Sequence, residues 1–148
     1  MTDANTTLKD LILDHDDDLR DLLQVLLRQA NRRQMWLMFI DEYGRLGDPL
    51  MPMDDYPEDP HEEVEVDDLG PVDQAHLLMH RSGMLREATG NASVVLVWER
   101  VGPSTLDEDD RAWASAMADA ASSLEVPLRA QFLLHNRGIR QLHPDDYL

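Results

Sequence analysis

The chain has 148 residues, no cysteine and a formal net charge of −17. That length fits one domain whose core needs no staple, and without thiols there are no disulfides, thiolate zinc sites, iron–sulfur clusters or cysteine nucleophiles. A polyanion repels phosphate backbones and anionic bilayers, so the expected partner is protein, a basic one or a second copy, with no nucleic acid and no membrane.

Met1 to Lys9 lacks the basic-then-apolar order of a signal peptide. The longest apolar run, Met35 to Ile40, is too short to span a bilayer. A cytoplasmic location is the expectation. Lys9 is the only lysine, an arginine bias of the kind that accompanies GC-rich coding sequences.

Leu8 to Asn31 carries an amphipathic stripe of Leu8, Leu11, Ile12, Leu19, Leu22, Leu23, Leu26 and Leu27. His15 to Asp18 interrupts it, so one bent helix or two short ones are expected, with Asp16 or Asp17 as a cap. Arg28, Arg32 and Arg33 follow at the C-terminal end, where cations suit the helix dipole. Met35 to Asp41 reads as a buried strand, Glu42 to Arg45 as a turn, and Leu46 to Met53 as a return strand that Pro49 and Pro52 confine to an edge.

Asp54 to Asp68 combines dense carboxylates with Pro57 and Pro60. Mutual repulsion and missing backbone donors predict a mobile surface loop without regular pairing. Val72 to Thr89 reads as a helix stopped by Gly90-Asn91. Ser93 to Arg100 is the best strand of the chain, its consecutive β-branched residues placing it centrally. After Gly102-Pro103-Ser104, the order Thr105-Leu106-Asp107-Glu108 matches a capping box, with Thr105 at N-cap and Glu108 at N3. The helix that follows runs to Leu124, with Leu106, Trp113, Met117 and Ala120 or Ala121 inward. Leu128 to His135 and Ile139 to His143 are strands about a tight turn at Asn136 to Gly138, and Pro144 to Leu148 is a tail. The order α-β-β-α-β-α-β-β predicts an α/β (α+β) fold, a mixed sheet flanked by helices. One domain, 1–148, is expected, with a helical segment over about 7–31 and the acidic loop at 54–68.

Few residues suggest chemistry. His76 and His80 are spaced i, i+4 on a helix, but Leu77 stands where a zinc protease would carry its glutamate; a boundary position is expected for both. His15 and His61 sit in acidic runs and read as solvated, and His135 flanks a turn. The acidic loop lacks the order of a calcium-binding loop. Trp36, Trp98 and Trp113 read as core, and Met35, Met38, Met51 and Met53 as packing about the first hairpin. Glu99 is the one acid in a strongly apolar strand context, and a strand-end salt bridge to Arg100 or Arg140 is expected. Trp98, Glu99, Arg100 and Arg140 are therefore the candidate site, with no residue assigned a catalytic, cofactor-binding or metal-binding role.

Met35 to His143 resembles the JAB/MPN metalloprotease-like domain in its bacterial RadC form. In that family an apolar central strand runs into His-x-His-Pro, then a glycine-containing loop, then Ser-x-x-Asp opening a helix. Here Val94-Val95-Leu96-Val97 runs into Trp98-Glu99-Arg100, then Val101-Gly102-Pro103-Ser104, then Thr105-Leu106-Asp107-Glu108. Leu128 to Leu134 and Ile139 to Leu142 stand where the family's closing strands lie. Trp98 and Arg100 occupy the places of the two ligand histidines, and Glu108 that of the ligand aspartate. The resemblance thus implies a degenerate member without the family's metal ligands. Its expected role is non-enzymatic interaction or regulation, with no cofactor. The alternatives are a cryptic, metal-independent hydrolase, and an acidic protein that masks a basic nucleic-acid-binding surface on a partner.

Overall fold

The computed structural model describes Leu8 and residues 10–147. Of the polar opening stretch Met1 to Lys9 only Leu8 falls within that range, and Leu148 of the tail lies outside it. Ser93–Glu99 forms strand β5 and is buried from Val94 onward. A strand apolar on both faces must be covered on both faces, and β5 accordingly lies at the centre of a five-stranded sheet of order β2-β1-β5-β6-β7. Strand β1 (Gln34–Ile40) runs antiparallel to β5, with Leu37 opposite Leu96. Strand β2 (Met51–Asp54) pairs with the start of β1 and forms one edge, where Pro52 removes a ladder donor. On the other side β6 (Leu128–His135) runs parallel to β5, and β7 (Gly138–Leu142) returns antiparallel to β6. The sheet is mixed and helices flank it, as the element order predicts.

Alternation along the strands divides the core in two. Met35, Leu37, Phe39, Val94, Leu96, Trp98 and Leu133 face helices α2 (Gln74–Thr89) and α3 (Glu108–Ser123). Met38, Ile40, Val95, Val97, Phe132 and Leu134 face Leu13 and helix α1 (Asp16–Leu27), through Leu19, Leu22 and Leu23. Each large apolar side chain so buried contributes about 1.5–3 kcal/mol. The N-terminal stripe is broken, since residues 11–14 are not helical. His15, not Asp16 or Asp17, is the N-cap of α1, and its N–H donates to Asp18 at 3.3 Å.

Three expectations are corrected. Asp54 to Asp68 is not an unpaired loop: β3 (Glu63–Val66) pairs antiparallel with β4 (Gly70–Asp73) in a separate hairpin. Val64 and Val66 are half-buried while Glu63 and Glu65 are exposed, so the strand turns its carboxylates out to water; Asp73, opposite Glu63, accepts from the His76 N–H of the helix that follows. Just upstream, Tyr56 enters the core, edge-on to Trp98 and Trp113 at 5.4 Å from each. The Trp113 indole donates to the carbonyls of Pro57 (2.9 Å) and Glu58 (3.2 Å). The second correction is the cap of α3. Asp107 accepts from the Asp110 N–H at 2.8 Å and Asp110 accepts from the Asp107 N–H at 3.0 Å, so the box lies two residues later than Thr105 and Glu108. Third, the tail at Pro144–Tyr147 forms a short helix, α4, whose Asp146 accepts from the His143 N–H at 2.7 Å. Helix α2 starts after its cap Asp73, with Val72 in β4.

Candidate functional site

The sheet does not gather the four predicted site residues into one site. Strand side chains alternate faces, so Trp98 and Arg100 point toward α3 and Glu99 points the other way. No salt bridge joins Glu99 to Arg100 or Arg140; that expectation fails on strand parity.

Glu99 is 2 % exposed and holds the connection between α1 and β1. Its Oε2 accepts from the backbone N–H of Asn31 at 2.9 Å and of Arg32 at 3.2 Å. Its Oε1 accepts from the Gln34 amide at 2.9 Å and the Trp36 indole at 2.8 Å. Burial pushes the carboxyl up, and the bonds from Asn31, Trp36, Gln34 and Arg32 outweigh it and hold the group below the ordinary glutamate range. Glu99 thus stays ionised, with both oxygens engaged by donors.

On the opposite face each side chain is equally committed. The Trp98 indole donates to Gln131 Oε1 at 2.9 Å, and the Gln131 amide donates to the Ala114 carbonyl at 2.9 Å, tying β5 and β6 to α3. Arg100 pairs with Asp110 at 2.7 Å, both side chains largely buried. It also donates to the carbonyls of Pro103 (2.7 Å) and Thr105 (2.8 Å). Arg140 donates to the Ser104 carbonyl between them (2.7 Å) and pairs with Asp146 (2.8 Å). Two arginines therefore hold three successive carbonyls of the β5–α3 loop. Asp110, which pairs with Arg100 and caps α3 at once, was not singled out from sequence; it stands among four consecutive acids there, which hid it.

The histidines stay apart from this constellation except His135, whose Nδ1 accepts from the Arg137 N–H at 3.2 Å. His76 and His80 are half-buried and parallel, 6.5 Å between ring centroids. His76 lines a cleft of about 440 Å³ with His61, Asp73 and Asp119. His61 and His15 are exposed, as expected. Among the described residues no three His, Asp or Glu side chains converge to hold a metal ion. Nor is any helix there long and apolar enough to cross a membrane.

Cationic groups are mostly neutralised within the chain. Arg20, Arg32, Arg81, Arg100, Arg129 and Arg140 pair with carboxylates, and Arg33 lies 3.6 Å over the Tyr56 ring. Of the arginines expected at the C-terminal end of α1, Arg28 is the C-cap, Arg32 pairs with Asp54 and Arg33 stacks on Tyr56. By contrast Glu62, Glu63, Glu65, Asp67, Glu108 and Asp109 are exposed and enter no ion pair among the described residues. No known protein-family model matches this chain, and no curated protein is recognisably similar to it.

Proposed function

We propose that this chain is a non-enzymatic interaction or regulatory protein, a degenerate JAB/MPN-like framework that docks a basic protein surface. One observation carries the reading: Glu99, the acid best placed for chemistry, has both oxygens occupied by structural donors. A general acid or base must have a proton to give or a lone pair to receive one at substrate distance, and Glu99 is spent on the fold. Trp98, Arg100 and Arg140 are spent in the same way. The glycine-containing loop after a central strand, followed by a helix and two closing strands, supports the family reading.

The charge pattern supports the partner. Most arginines are engaged by carboxylates or carbonyls of the chain itself, while unpaired acids of β3 and of the α3 N-terminus face solvent. Such a field accelerates encounter with a basic surface and is screened over about 8 Å at physiological ionic strength. Masking a nucleic-acid-binding surface is one form this takes. A second copy of so acidic a chain is the less favoured partner, because like fields repel. The test is affinity capture in the host with the native chain and with a Glu62→Lys, Glu63→Lys, Glu65→Lys variant. The proposal expects a basic protein that elutes as salt rises and is lost with the variant. Retention of the same partner by the variant, or elution indifferent to salt, contradicts it.

A further inference from the structure

We propose that the cleft beyond the carboxyl ends of β5 and β6 binds a small-molecule oxyanion, namely the phosphate group of a phosphomonoester. The site lies outside the proposed acidic docking surface and does not depend on it. Strands β5 and β6 are the parallel pair of the sheet and are joined through α3. Open sheets of this kind hold ligands outside the carboxyl ends of such strands. Here a cavity of about 380 Å³ is lined by Gly102, Pro103, Ser104, His135, Asn136 and Arg137.

Two features separate this cavity from the clefts along α2. First, it has no carboxylate in its lining, in a chain with 30 Asp and Glu; the others are lined by Asp73 and Asp119, or by Glu87 and Glu125. Second, its walls are fixed. The Gly102 N–H donates to Asn136 Oδ1 and the Asn136 N–H donates to the Gly102 carbonyl, each at 3.0 Å. Gly102 has φ +149, and a Cβ there would stand 2.7 Å from Arg100 Nη1, so the loop needs glycine to lie this close.

The lining presents donors without acceptors. Because Nδ1 of His135 accepts from the Arg137 N–H, its neutral ring carries the proton on Nε2. His135 is only 8 % exposed, and Nε2 has no partner among the described residues. The Ser104 hydroxyl and the Arg137 guanidinium also enter no hydrogen bond or ion pair among them. These donors are open to the cavity's solvent, and an anion there would replace water as their acceptor.

The local field suits an anion although the chain as a whole is acidic. Arg100 and Arg140 are balanced by Asp110 and Asp146, which leaves Arg137 as the unbalanced charge. Burial first, then Arg100, Arg140 and Arg137, lower the pKa of His135, so the imidazole feels a positive surrounding. The distant carboxylates are screened beyond about 8 Å. A guanidinium fork, an imidazole N–H and a hydroxyl are three donor groups, which match the three terminal oxygens of a phosphomonoester better than the two of a carboxylate. The cavity size suits a small molecule.

The test is calorimetric titration of the full chain with inorganic phosphate, glycerol phosphate and acetate, alongside ¹⁵N observation of the His135 imidazole. The expected result is saturable binding of both phosphates, weaker binding of acetate, and a moved His135 resonance. Arg137→Gln, at an exposed position, should weaken phosphate binding about tenfold with an unchanged thermal midpoint. Arg45→Gln, which removes an exposed guanidinium elsewhere, should leave binding intact. The proposal is overturned by no saturable phosphate binding, by a His135 resonance that stays in place, by acetate binding as tightly as phosphate, or by equal loss in the two arginine variants.

Discussion

Replacing Tyr56 with alanine should unfold this protein at a much lower denaturant concentration, although Tyr56 lies in the most acidic stretch of the chain. Its ring is 9 % exposed and sits edge-on to both Trp98 and Trp113, with the Arg33 guanidinium 3.6 Å over its face. Truncating a large buried ring to alanine costs about 3–5 kcal/mol. Aromatic pairs of this geometry contribute about 0.5–1.5 kcal/mol beyond their area, and the cation over the ring about 0.5–1 kcal/mol. We take about 4 kcal/mol for Tyr56→Ala. With a urea dependence of about 2 kcal/mol/M, the midpoint falls by about 2 M. Tryptophan fluorescence reports the transition directly, because Trp98 and Trp113 touch the altered ring. Tyr56→Phe keeps the rings and should cost less than about 1 kcal/mol, since the hydroxyl makes no hydrogen bond among the described residues. Burial has pushed that phenol up to about 12, so no charge is lost at neutral pH. A midpoint for Tyr56→Ala within about 0.5 M of the native chain would refute the packing of residues 54–60 against the sheet.

Two further substitutions separate neighbouring assignments. Asp107→Ala should cost about 0.5–2 kcal/mol as the loss of the α3 cap, while Thr105→Ala stays within about 0.5 kcal/mol of the native chain; urea midpoints of the pair decide which residue caps. Arg100→Met leaves Asp110 largely buried without its partner and removes the clamp on Pro103 and Thr105. The expected loss is about 3–5 kcal/mol, measured by the same unfolding curves, and a loss under about 1 kcal/mol would show that the pair behaves as an exposed one.

The sheet was legible wherever a strand is apolar on consecutive positions. Val94 to Val97 has one physical solution, burial on both faces, and β5 takes it. Leu128 to His135 was legible in the same way, down to its end residues. The acidic hairpin was masked by composition: the alternation Glu63-Val64-Glu65-Val66 is a half-buried strand signal, but counting carboxylates and prolines hides it. The cap of α3 was ambiguous because Thr105/Glu108 and Asp107/Asp110 both fit the spacing. Arg100 resolves it by binding the Thr105 carbonyl and Asp110 together, a contact invisible to local pattern. For the candidate site, parity alone places Glu99 opposite Trp98 and Arg100, so the missing salt bridge was readable from period two. The donors that replace it, the amides of Asn31 and Arg32, lie more than sixty residues away along the chain, and nothing local announces them.

The claim that the end of β5 serves the fold is tested most directly by the unfolding free energy of Glu99→Gln against pH. A group retained for chemistry is commonly a liability to stability, and its replacement stabilises. A structural carboxylate behaves oppositely, because glutamine turns an amide toward donors that need an acceptor. Its folded pKa is depressed below the usual 4.5, so its contribution is fully present above that value and is lost as pH falls through the folded pKa. The account predicts that Glu99→Gln is less stable by about 1–3 kcal/mol at pH 7, with the difference shrinking on acidification below pH 4.5. A variant as stable as the native chain or more so at pH 7, or a difference that does not shrink in acid, would contradict it.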